Sequence, residues 1–286
     1  MKRRAAYVVT SLFTLTCGIT LGALLPWQGH PTEKTTSGLD FHVPATPAAP
    51  AVEIPQVVPQ IVFGGGKLKL VSEEVKLKSE SLQYDLNVRY PQITGSDAPH
   101  IQRLNRRIKE LATAECERWM YPTKKDLRYY REKWPEAFNE LSIDYEVTLA
   151  TDSILSIYFV AYSYGIGAGT SVQYSYTVNY DLVSHKQLKL SELFARRSGY
   201  LEVISDHCIH QLEKHKYGES LFRANLAPEA ANFDSWNVTR DGVRFSFDEC
   251  EAFGCAVGEQ SVEIPFSEIK SILSPRAVDF AELVRR

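Results

Sequence analysis

Apolar or aromatic side chains at Leu82, Tyr84, Leu86, Val88 and Tyr90 alternate with Gln83, Asp85, Asn87 and Arg89. A period of two fits a strand with one buried face, and Pro91 is expected to end it. Asp97 and Pro99 then open a helix in which Ile101, Leu104, Ile108 and Leu111 recur at spacings of three and four; Trp119 and Met120 close it. Residues 121–135 are mostly polar and basic. Strand-like runs follow at 141–149 and 154–164, and the clearest alternation of the chain places Val172, Tyr174, Tyr176, Val178 and Tyr180 on one face. Residues 181–186 read as a turn, and Leu188 and Leu190 lead into the segment 191–194. A second helix is expected over 199–214, with Leu201, Ile204, Cys208 and Leu212 on its stripe. Asp241-Gly242 between two apolar runs signals a hairpin, and Val262, Ile264 and Phe266 make a last strand before a short helix at 267–273. This order predicts an α+β fold, with an antiparallel sheet packed by two main helices.

The first 66 residues follow another logic. Lys2, Arg3 and Arg4 precede residues 5–25, an uncharged run of twenty-one residues. At about 1.5 Å per residue, such a helix matches a hydrocarbon core of about 30 Å. The basic cluster predicts a cytoplasmic N-terminus of four residues, too few for a cytosolic partner, and an exported remainder. An uncleaved anchor is the preferred reading. A cleaved signal peptide and a lipidated Cys17 are the alternatives. Residues 26–66, rich in Pro, Ala and Thr and ending in glycines, read as a semi-rigid spacer. The exported part divides at about 165/166 into an N-terminal portion from 67 and a C-terminal portion to 275, followed by a tail over 276–286. The expected location is therefore the inner or cytoplasmic membrane, single pass, with a periplasmic or extracellular domain.

Composition removes two function classes. Lys+Arg number 32 against Asp+Glu 35, for a net charge of -3, so no basic excess exists to neutralise a nucleic-acid backbone. Aromatic residues at 11% supply far more burial than a disordered chain carries.

The run from Tyr174 to Phe194 (YSYTVNYDLVSHKQLKLSELF), with DGVRFSF at 241–247 and GEQSVEIPFSEI at 258–269, resembles a bacterial extracytoplasmic domain of unknown function. That domain forms the outer part of RsiV-type lysozyme-sensing anti-sigma factors and accompanies the catalytic domain of PdaC-type peptidoglycan deacetylases. Residues 82–111 are similar to the segment that precedes it, in which a strand ending in Tyr-Pro leads to a helix containing Leu104-Asn105. The similarity extends over residues 67–273 and implies fold more strongly than activity. Where the family often has a glycine-rich turn followed by histidine, this chain has Gly167-Ala168-Gly169-Thr170, so a role for that imidazole is not expected. The sigma-binding and deacetylase parts are not expected within these 286 residues.

Four cysteines fall in the exported part. In an oxidising compartment pairing is the default, and Cys250 with Cys255 is the safer pair. Cys116 and Cys208, one on each main helix, are expected to make a second bridge. A four-thiolate zinc site is the alternative, but the spacing lacks the paired cysteines of zinc ribbons. His207 and His210 share a helix face and could hold a metal, yet solvated histidines on a polar face are preferred. Asp248, Glu249, Glu251, Glu259 and Glu263 form an acidic group flanking Cys250. They read as solvated loop charge or as an acidic lip for a basic protein such as lysozyme. Tyr174, Tyr176 and Tyr180, with Tyr158, Tyr162 and Tyr164 on the neighbouring strand, read as sheet core or as a platform for sugar rings. No catalytic motif is found and no cofactor is implied. The expectation is a membrane-anchored, non-enzymatic module that binds a peptidoglycan-active protein or the glycan, with Asp248, Glu249, Glu251, Tyr174 and Tyr176 as candidate contacts. A cell-wall hydrolase or deacetylase is the alternative.

Overall fold

A computed structural model describes residues 61–63, 65–120 and 124–278. The expected anchor, nearly all of the spacer and the end of the tail lie outside the described residues. Among the described residues, no helix is long and apolar enough to cross a membrane.

Seven strands form one sheet in chain order: β1 (Val62–Phe63), β2 (Leu68–Ser79), β3 (Tyr84–Thr94), β4 (Asn139–Ala150), β5 (Ile154–Tyr164), β6 (Val172–Asp181) and β7 (Lys186–Gln187). The expected all-antiparallel sheet needs one correction, because β3 and β4 run parallel, from Tyr84 opposite Asn139 to Val88 opposite Ile143. Parallel neighbours require a crossover, and three helices supply it: α1 (Pro99–Thr113), α2 (Cys116–Met120) and α3 (Lys124–Lys133). The basic stretch, read only as polar, is helical over α3, where Lys, Arg, Leu and Glu have good helix propensity.

Pro91 does not end β3, which continues to Thr94 with Pro91 opposite Ser72 of β2. On its other side β3 pairs with β4 only as far as Val88, so the missing N–H of Pro91 interrupts no ladder. Two residues on, Asn105 of α1 takes the place of a strand. Its Oδ1 accepts from the Ile93 N–H and its Nδ2 donates to the Ile93 carbonyl, both at 2.8 Å. The α1 stripe buries Ile101, Leu104, Ile108 and Ala112. Continued straight, it would carry Glu115 into the core. The helix breaks at residues 114 and 115, so the buried residue is Cys116, while Glu115 pairs with Arg118 at 3.6 Å.

A second sheet, in the order β10-β9-β8, is built from β8 (Trp236–Val238), β9 (Gly242–Phe247) and β10 (Gln260–Pro265). The hairpin at Asp241-Gly242 is as expected. A Cβ at Gly242 would stand 2.1 Å from the Ile264 carbonyl oxygen, so only glycine fits there. α4 (Tyr200–Leu212) covers this sheet with Ile204, Cys208 and Leu212, and α5 (Phe266–Ile269) closes it. Phe233 stands edge-on to Phe245 and Phe247 at 5.7 and 6.3 Å. The single sheet packed by two helices is thus two sheets with two cores, α1 packing on the seven-stranded sheet and α4 on the three-stranded one.

The sheets meet through buried polar groups. Ser156 Oγ of β5 donates to Asn179 Oδ1 of β6 at 2.6 Å, and Asn179 Nδ2 donates to the Trp236 carbonyl of β8 at 2.7 Å. Asn237 Nδ2 and the Val238 N–H donate to Ser156 Oγ at 2.9 and 3.1 Å. Thr148 Oγ1 of β4 donates to the Val238 carbonyl at 2.8 Å. Stranding such partners in a buried site costs about 1–3 kcal/mol. Asn179→Ala is therefore expected to lower unfolding free energy by about that amount in urea titration, and an unchanged midpoint would mean that the seam contributes nothing.

Candidate functional site

The register of β5 and β6 decides which tyrosines can act together. Phe159 lies opposite Tyr176 and Tyr158 opposite Thr177, so odd positions of β5 share a face with even positions of β6. Tyr174, Tyr176 and Tyr180 pack into the α1 core, with the Tyr176 ring stacked on Phe159 at 4.9 Å. Burial pushes the phenols of Tyr174 and Tyr176 well above the ordinary tyrosine range, and the buried Tyr176 hydroxyl has no hydrogen-bond partner among the described residues. Tyr158 and Tyr162 emerge on the opposite face. The six tyrosines therefore form no single platform, and Tyr174 and Tyr176 are separated by the sheet from the acidic group.

That acidic group gathers on the face of Tyr158. The loop after β9 is closed by a Cys250–Cys255 disulfide, with a Cα–Cα distance of 4.1 Å. Asp248 Oδ1 anchors the loop to β6, accepting from the Ser175 N–H at 2.8 Å and Ser175 Oγ at 2.6 Å. Glu251 Oε2 accepts from the Asp248 N–H at 2.8 Å. At the far end of the loop, Glu259 accepts from the Tyr158 hydroxyl and, at 2.5 Å, from Gln173 Nε2. The Arg244 guanidinium lies 5.0 Å above the Tyr158 ring and pairs with Glu146 at 2.8 Å. Glu263 faces Arg244 across β10 and β9.

Burial raises the Glu259 carboxyl above the ordinary glutamate value, although the hydrogen bonds from Tyr158 and Gln173 oppose the shift. Burial likewise raises Glu249, against a backbone hydrogen bond from Gln173. Tyr162 is raised by burial first and then by the charges of Glu259 and Glu249. The result is a partly dry acidic rim holding Asp248, Glu249, Glu251 and Glu259 beside Tyr158 and Tyr162. It can present negative charge at fixed positions to a cationic surface. Gln173, Ser175 and Arg244 were not among the expected contacts. The polar phase of β6 alternation was the signal for the first two, since residues opposite its tyrosines had to meet something other than the α1 core.

Cys116 and Cys208 do not form the expected bridge. Both are free and buried, and each belongs to a different core. His207 Nδ1 lies 3.2 Å from Glu268, and His215 packs its ring 5.3 Å from Phe253. Among the described residues, no three His, Cys, Asp or Glu side chains converge to hold a metal ion.

Two outcomes follow for the purified chain. Alkylation under denaturing, non-reducing conditions should label Cys116 and Cys208 and spare Cys250 and Cys255; label on the latter pair overturns the loop closure. The folded state disfavours ionised Glu259, so its contribution to stability declines as pH rises from near the ordinary glutamate value of 4.5 through the raised one. Glu259→Gln removes the charge while keeping an acceptor for Tyr158. It is expected to melt at or above the wild-type temperature at neutral pH and to flatten the gain in Tm on acidification; a lower neutral Tm would show that the ionised form is the favoured one.

Residues 76–169 match the family model described as deacetylase PdaC, and residues 191–267 match the one described as protein of unknown function DUF3298. The chain is 25% identical over 213 residues to the peptidoglycan-N-acetylmuramic acid deacetylase PdaC of Bacillus subtilis strain 168, covering 73% of this chain and 43% of that protein. It thus spans less than half the length of that relative. Among solved structures, a DUF3298 family member from Bacteroides fragilis NCTC 9343 shares the fold, with a TM-score of 0.53, 14% identity and coverage of 74% of this chain and 95% of that one. A DUF3298 family protein from Pseudomonas aeruginosa PAO1 aligns with a TM-score of 0.46 at 16% identity, over 77% of this chain and 96% of that one.

Proposed function

We propose that this chain, which joins a PdaC-type region to a DUF3298 region, is a membrane-tethered extracytoplasmic module that binds a cell-envelope component without transforming it. The component is a basic, peptidoglycan-active protein such as lysozyme, or the glycan itself. The observation that carries this reading is the acidic loop after β9, in which Ser175 holds Asp248, the Asp248 N–H bonds Glu251 inside the disulfide-closed ring, and Glu249 lies near Tyr162. Carboxylates held in place in this way lose little conformational freedom when a cationic partner docks, and their field speeds its approach. The tether rests on the uncharged run at 5–25 behind its basic cluster.

Deacetylation of peptidoglycan is the second reading. It is favoured by the name of the Bacillus subtilis relative, of which this chain spans 43%.

One experiment separates the two. Full-length chain in detergent is offered to immobilised lysozyme and to sedimented peptidoglycan, and acetate release from the glycan is measured in parallel. Binding is expected to one of the two, without acetate. If the protein is the ligand, Glu249→Gln with Glu251→Gln should slow association by about tenfold at low salt and less at high salt. Absence of binding to both defeats the module reading, and acetate release replaces it with the second one.

A further inference from the structure

A second charged surface, of opposite sign, lies on α3. Of the ten residues of α3, five are Lys or Arg and two are Asp or Glu, in a chain whose net charge is -3. Leu127 and Tyr130 are half-buried, whereas Arg128, Tyr129, Arg131 and Lys133 are exposed. Arg128, Arg131 and Lys133 have no carboxylate partner among the described residues. A hollow of about 450 Å³ beside the helix counts Leu127, Arg128, Arg131 and Glu132 among its walls.

Large aromatic rings stand in solvent at the same place. Tyr129 is 49% and Trp134 40% exposed, and Tyr129 meets Trp134 edge-on at 5.8 Å. Their position is built into the fold. The Trp134 ring lies over Gly167, where a Cβ would come within 3.1 Å of it. Gln83, 2% exposed and held at a left-handed φ of 50°, donates through Nε2 to the carbonyls of Trp134 and Ala137 at 3.0 Å each. Asn139 Oδ1 accepts from the Ile166 N–H at 2.9 Å and steadies the neighbouring glycine-rich turn.

A purely solvated helix needs cations but gains nothing from ordered tryptophan and tyrosine in water. A soluble polyanion would likewise be met by the cations alone. Rings with a polar edge beside lysine and arginine suit the headgroup layer of a membrane, which offers an apolar depth and a negative surface together.

We propose that α3 and Trp134 rest on anionic phospholipid headgroups of the bilayer that tethers the chain. The contact rests on the tether proposed above. It would hold one corner of the domain at the membrane and fix which way the rest faces.

The test reconstitutes the full-length chain into vesicles of phosphatidylcholine, with or without phosphatidylglycerol, each carrying a quencher at headgroup depth. Tryptophan quenching should be greater in the anionic vesicles by about twofold at low salt. Trp134→Phe should abolish that difference, while Arg128→Gln with Arg131→Gln, or high salt, should shrink it with the melting temperature unchanged. Equal quenching in the two vesicle types overturns the proposal, as does a difference that survives Trp134→Phe. Binding of soluble polyphosphate, lost in the double variant and without quenching of Trp134, assigns the cations to a polymer and also overturns it. If alkaline carbonate strips the chain from the vesicles, the tether reading is the one that fails. Vesicles added to the free chain then still decide the headgroup contact through the same salt-sensitive difference.

Discussion

The buried hydrogen-bonded seam between the two sheets is the constraint on which the other parts depend. β5 is covered on both faces, by α1 and its core on one side and by the small sheet on the other. An apolar interface there would be positioned by shape alone, whereas hydrogen bonds add a directional constraint. Ser156, Asn179 and Asn237 bond only at one relative position, and an unsatisfied partner in a dry interface is costly. Further along the same face, Ser175 holds Asp248 and Tyr158 holds Glu259. The acidic rim is therefore aimed by the same register that docks the sheets.

The two matched regions acquire a physical meaning in this light. The first includes the end of β2 from Lys76, β3 to β5 and the three crossover helices, and the second includes α4, the small sheet and the start of α5. β6 lies between them in sequence and touches both in space, packing Tyr176 into one core and bonding Trp236 of the other sheet through Asn179. The seam is thus the boundary at which two unlike regions become one body.

What could be read along the chain was whatever repeats locally. The strands β4 to β6, the helices α1 and α4 and the hairpin at Gly242 all announce themselves through period or turn chemistry. β2 does not, because it lies near the sheet edge and carries Lys69, Glu73, Glu74, Lys76 and Lys78, with only Leu70 fully buried. Charge on such a strand protects an edge from stray pairing, but it erases the alternation that signals a strand. Pro91 misled for a related reason: the rule against proline in a strand assumes partners on both sides. In the site, the acids were visible as charges. Their partners were not, since Ser175 and Tyr158 lie 73 and 101 residues from the carboxylates they bind. The division of the tyrosines between two faces likewise depends on register, which no single strand reveals.

The cysteines bear on the order of events during oxidative folding. Cys250 and Cys255 are five residues apart and meet by local chain motion, whereas Cys116 and Cys208 are brought near nothing reactive and are withdrawn into separate cores. Burial raises the Cys208 thiol to about 12 and the Cys116 thiol in the same direction, so little thiolate exists to attack a disulfide. Oxidation during maturation is then a race that the nearby pair wins by proximity. The losing thiols are retired by folding itself, so a slowly folding variant would be exposed to scrambled bridges even where its finished fold is sound.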